Sequence, residues 1–126
     1  MILKKNNYNI VLLLYDMLYN NDVEFISELV HFSKKYFKAT SEHKIYFLDS
    51  LKYVMSNDKI LVYKIDSSNN RIIKKTYNSE NCKELIELID NQWVKFNDHN
   101  ETKLWYSYEI GYTKSWKIEL KRIEKL

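Results

Sequence analysis

The chain predicts an α+β fold in which N-terminal helices pack on an antiparallel sheet of about four strands made of two hairpins. Three observations predict it. Through the first half, apolar residues recur at three- and four-residue steps, the mark of amphipathic helices. Two later stretches, one rich in β-branched residues and one alternating apolar and polar residues, flank turn-forming positions, the mark of hairpins. Another helical stretch separates these two. Hairpins favour antiparallel pairing and helices need an apolar sheet face, so the helices should cover one side of the sheet. No repeat, low-complexity tract or linker rich in Pro, Gly or Ser divides residues 1–126, which read as one domain.

The first helix is expected where Tyr8, Val11, Leu14, Tyr15 and Leu18 share a face, up to the break at Asn20-Asn21-Asp22. A second should start there and bury a stripe of Phe25, Ile26, Leu29, Ser33, Tyr36 and Phe37. Thr40 or Ser41 can cap a third, with Ile45, Leu48, Leu51 and Met55 on its inner face, flanked by Phe47 and Val54, and Asn57-Asp58 ending it. Ile60–Ile65 is rich in β-branched residues. With the turn Asp66-Ser67-Ser68-Asn69-Asn70 and the strand Arg71–Thr76 it forms the first predicted hairpin. Ser79 or Asn81 can cap a fourth helix burying Cys82, Leu85, Ile86, Ile89 and Trp93, and Asn81 and Glu84 stand at capping-box spacing. The alternations Leu104-Tyr106-Tyr108-Ile110 and Trp116-Ile118-Leu120 predict the second hairpin, with the single glycine, Gly111, in its turn.

Composition narrows the function classes. At 126 residues with 45% hydrophobic and 29% charged side chains, the chain has the balance of a self-sufficient globular domain. One cysteine makes no internal disulfide and no cysteine-rich zinc site, which favours a reducing, cytoplasmic setting. Lys4 and Lys5 precede an apolar run confined to residues 10–15, too short for a signal peptide or a membrane span. A net charge of +3, from 20 basic and 17 acidic groups spread along the chain, names no partner. Phosphate-cradling loops need several glycines, which argues against nucleotide-dependent enzymes.

No catalytic, cofactor or metal site emerges. His31, His43 and His99 lack the i, i+4 pairing of metal ligands, and Cys82 falls on an apolar helix face where a thiol is inert. Asp98 with Glu119-Leu120-Lys121 imitates the carboxylate and lysine pattern of metal-dependent nucleases, but an ordinary half-solvated strand shows the same alternation. A helix over residues 41–57 followed by a hairpin carrying Lys64, Arg71, Lys74 and Lys75 has the order of a winged helix. Glu42 and Asp49 on that helix oppose phosphate, so nucleic-acid binding is the runner-up. Protein binding fits better. Tyrosine is the commonest aromatic, at 11 residues, and Glu80, Glu84, Glu87 and Asp90 recur at three- and four-residue steps on the outer face of the fourth helix. These four are the candidate partner-binding residues.

Several segments carry a resemblance that spans most of the chain. They are Asn21-Asp22-Val23-Glu24-Phe25, the run Phe47–Leu51 leading to Lys59–Tyr63, the helix ending in Trp93, and Leu104–Gly111 closing on Ser115-Trp116-Lys117. Together they resemble a family of small bacterial proteins, some of which are immunity proteins of contact-dependent growth inhibition, the CdiI type. The resemblance implies a cytoplasmic non-enzyme that binds the toxic C-terminal domain delivered by a sister cell, often a nuclease. It transfers no interface residues. The acidic face is assigned on charge, because a basic nuclease groove attracts carboxylates in place of nucleic acid.

Overall fold

The described helix ends are set by side chains at some positions and by backbone bonds alone at others, in a sequence with a single glycine. The computed structural model describes residues 23–37, 39–98, 100 and 102–118, so the predicted helix over residues 8–18 lies outside them. Helix α1 (Ile26–Ser33) opens where the Glu28 carboxylate turns back to accept the Glu24 and Phe25 N–H groups at 3.1 and 3.2 Å. It buries Ile26, Leu29, Val30 and Ser33, and a 3₁₀ turn (Lys34–Tyr36) continues it. Helix α2 (Thr40–Ser56) follows and ends in a Schellman arrangement. The Asp58 N–H reaches the Met55 carbonyl at 3.1 Å and the Lys59 N–H reaches the Val54 carbonyl at 2.9 Å. Asp58, with φ of 57°, occupies the left-handed position that glycine usually takes.

The buried face of α2 is His43, Phe47, Ser50, Leu51, Val54 and Met55. It is rotated from the apolar stripe expected from sequence, and Ile45, placed there on that face, is 62% exposed. The reason is a buried polar pair: Ser33 Oγ lies 2.8 Å from His43 Nε2, and Phe37 stacks on the imidazole. A histidine so placed occupies a core position that a hydrophobicity pattern assigns to the nearest large aliphatic residue.

The sheet has three antiparallel strands among the described residues, β1 (Ile60–Asp66), β2 (Ile72–Tyr77) and β3 (Tyr108–Tyr112), in the order β2-β1-β3. The first predicted hairpin is present, with Val62 opposite Tyr77 and Lys64 opposite Lys75 before a bulge. Asp66 organises its turn by accepting from the Ser68 N–H, the Ser68 hydroxyl and the Asn69 amide, after which Asn70 and Arg71 take φ of 59° and 61°. One face of the sheet, carrying Ile60, Val62, Tyr77, Tyr108 and Ile110, meets Leu29, Leu51, Leu85, Phe96 and Trp116 in the core.

The second predicted hairpin is not formed. Residues 102–105 are helical rather than extended, and β3 begins only at Tyr108. Residues 114–118 are helical as well: the Thr113 hydroxyl accepts the Trp116 N–H at 3.2 Å, an N-cap that starts a helix where the alternation Trp116-Ile118 suggested a strand. Trp116 is buried and Ile118 half exposed, as helical spacing requires. Gly111 lies within β3 opposite Leu61, not in a turn, and its φ is not positive. Its role is close approach, since a Cβ there would stand 2.6 Å from the Tyr63 ring.

Candidate functional site

The fourth predicted helix is split. Helix α3 (Cys82–Asn91) ends at Gln92, and Trp93 opens a separate turn, α4 (Trp93–Phe96). The inner face of α3 is as expected, with Cys82, Leu85 and Ile89 buried and Ile86 partly so. Its start is built differently. Asn81 makes no capping-box contact with Glu84. Its Oδ1 accepts the Asn78 N–H at 2.7 Å and its amide donates to the Thr76 carbonyl at 3.0 Å. The two asparagines clasp the strand end to the helix start, with Asn78 Oδ1 accepting the Glu80 N–H at 2.9 Å. This fixes how α3 leaves β2.

Glu80, Glu84, Glu87 and Asp90 are all exposed. Glu84, Glu87 and Asp90 lie on one sector of α3, and Glu80 sits in the turn before it. Two of the four are engaged. Lys75 of β2 bonds Glu84, which holds its ammonium above the ordinary lysine value, and Lys44 of α2 lies 2.6 Å from Asp90. Lys83 falls on the same sector, four residues before Glu87. Glu80 and Glu87 have no cation within ion-pair reach among the described residues. The face is therefore a set of exposed carboxylates flanked by lysines rather than an unbroken negative strip. Sequence reasoning missed Lys44 and Lys75, because only tertiary packing brings α2 and β2 beside α3.

The other sequence candidates are placed as follows. His43 and Ser33 form the buried pair in the core, where burial first and Lys34 second push the imidazole down to about 4. His31 and His43 are not gathered into any metal-binding group of His, Cys, Asp and Glu among the described residues, and His99 lies outside them. Cys82 is buried, its sulfur 3.7 Å from the Ser56 hydroxyl. Asp98 is exposed and accepts the Asn100 N–H, while Glu119, Leu120 and Lys121 lie outside the described residues. The helix-then-hairpin order of a winged helix is present in α2, β1 and β2, but three cations of the supposed wing face carboxylates of the chain. Arg71 bonds Glu109, Lys75 bonds Glu84, and Lys74 lies 3.5 Å from Asp66. No helix among the described residues is long and apolar enough to cross a membrane.

No family model, curated protein or solved structure matches the chain.

Proposed function

We propose that the chain is a protein-binding domain of the immunity type, which neutralises a toxin domain, most naturally a nuclease, by covering its basic surface. The observation that carries this reading is the outer face of α3, where Glu84, Glu87 and Asp90 stand exposed on a helix anchored by the fully buried Leu85 and Ile89, with the exposed Glu80 in the turn just before it. An anchored helix presents its carboxylates with little ordering left to do on binding, which favours affinity. Carboxylates on a fixed scaffold also steer a cationic partner and set its register. The pairs Lys44–Asp90 and Lys75–Glu84 are surface contacts, weak and readily exchanged for a partner's arginine or lysine. Glu80 and Glu87, with no cation in ion-pair reach among the described residues, need no such exchange. The regulator reading is weaker, because three of the four hairpin cations that would grip phosphate, Arg71, Lys75 and Lys74, face Glu109, Glu84 and Asp66.

The test is rescue. A polypeptide captured by the tagged chain from nuclease-treated lysate of its own cells is expressed alone and together with the chain in a sensitive bacterium. The reading expects death in the first case and growth in the second. A captured polypeptide that is harmless when expressed alone overturns it.

A further inference from the structure

Helix α5 (Thr102–Trp105) lies near the first hairpin, where the Ile65 N–H donates to the Ser107 carbonyl at 2.7 Å. Between hairpin and helix opens a cleft of about 420 Å³ lined by Lys64, Ile65, Asp66, Lys74, Lys103 and Ser107. A second, of about 230 Å³, shares Lys103 and Ser107 with it and adds Lys95 and Leu104. Four lysines from β1, β2, α4 and α5 thus line the two adjoining clefts, with one carboxylate, Asp66, among the described residues there. That carboxylate is already engaged. The Ser68 hydroxyl foremost, with the Asn69 amide, holds it below its usual range, and it keeps Lys74 at 3.5 Å.

Lys64, Lys95 and Lys103 have no carboxylate within ion-pair reach among the described residues. Lys64 instead stands 5.5 Å over the ring of the buried Tyr108, a cation–π contact. Like charges gathered in a cleft repel one another, and a low-dielectric wall strengthens their field toward an entering anion. The apolar wall is supplied by Ile65 and Leu104. The volume lies in the range of small-ligand sites, roughly 300–1,000 Å³.

We infer that this double cleft binds a phosphate-bearing ligand of nucleotide size, its phosphates held by Lys64 and Lys103 and its less polar part lying toward Leu104 and Lys95. The acidic face of α3 plays no part, so the inference stands or falls apart from the immunity reading.

The experiment titrates the full chain with ATP, AMP, inorganic phosphate and a short thymidine oligonucleotide. Amide and side-chain NMR shifts report the site, and calorimetry the affinity. ATP should move the signals of Leu104, Ser107 and Tyr108, with affinity falling as salt rises. Exchanging Lys64→Gln and Lys103→Gln together should weaken ATP by about tenfold or more, whereas Lys83→Gln on α3 should leave it unchanged. No shift with any phosphate compound overturns the inference, and so does an ATP affinity insensitive to the two lysines. Binding of the oligonucleotide without ATP or AMP also overturns it, and makes the cleft a nucleic-acid contact instead.

Discussion

Acid should weaken the fold through His43 in a measurable and separable way. Its ring is 2% exposed, its Nε2 lies 2.8 Å from Ser33 Oγ, and that hydroxyl donates to the Val30 carbonyl at 3.0 Å. Ser33 Oγ therefore accepts from the imidazole, which fits the neutral ring protonated at Nε2. A second proton would place charge among Phe37, Phe47 and Trp93 with Lys34 nearby, and the group sits at about 4 instead of 6.5. A histidine depressed on folding leaves the unfolded chain holding more protons between those values. Stability from the neutral form is thus complete above pH 6.5, is lost as pH falls below it, and reaches its full loss below about 4. The depression corresponds to roughly 3 kcal/mol, more than half of it lost by pH 5 and nearly all by pH 4. Urea unfolding of the wild-type chain and of His43→Gln at pH 7, 5 and 4 isolates the effect, since the carboxylates titrate alike in both and glutamine keeps a donor for Ser33. The variant should start less stable and lose about 2 kcal/mol less than wild type between pH 7 and 5. Parallel losses in the two proteins would refute the argument.

Asp58→Gly should raise stability by about 0.5–1 kcal/mol in denaturant unfolding, since it removes the Cβ penalty at a φ of 57° while the Schellman bonds persist. A loss of stability would show that the aspartate side chain stabilises the turn. Gly111→Ala should cost about 1–3 kcal/mol, because the new methyl meets the Tyr63 ring at 2.6 Å. In a Tyr63→Leu background the same change should become nearly neutral, and a cycle showing no coupling would sink the close-approach account.

The elements legible in the sequence were those whose signal is local. The inner face of α3, Cys82-Leu85-Ile89, is a 3.6-residue pattern with nothing competing, and the turn at Asp66-Ser67-Ser68-Asn69-Asn70 is spelled by side chains that bond their own backbone. The failures are short segments where a period of two and a helical turn share the same few residues. Trp116 and Ile118 alternate, yet the Thr113 hydroxyl captures the Trp116 N–H and the Lys59 carbonyl holds Thr113, so a helical turn forms where a fourth strand was expected. Ile45 lost its core place to His43 because Ser33, ten residues earlier, completes a buried polar pair.

The acidic candidates follow the same division. Their common exposed sector was readable from spacing, whereas their partners Lys44 and Lys75 were not, since those contacts depend on how α2 and β2 pack against α3. The lysine cleft was half visible, in that Lys64 and Lys74 belong to the predicted hairpin. Lys103 joined it because the segment expected to be a strand turned into helix α5, and Lys95 because the fourth predicted helix runs on, after Gln92, into the turn α4.

The claim that the α3 face grips a cationic partner is tested most directly by charge reversal. Glu80→Lys with Glu87→Lys, the two carboxylates with no cation in ion-pair reach among the described residues, is compared with Lys35→Glu as a control remote from α3 in the sequence. The readouts are affinity for the captured partner and rescue of growth. The account predicts that the double reversal weakens association by at least about tenfold, mostly at low salt, and abolishes rescue while urea unfolding stays cooperative. Undiminished affinity and full rescue in the double variant would contradict it and leave the α3 carboxylates as a solvated helix face.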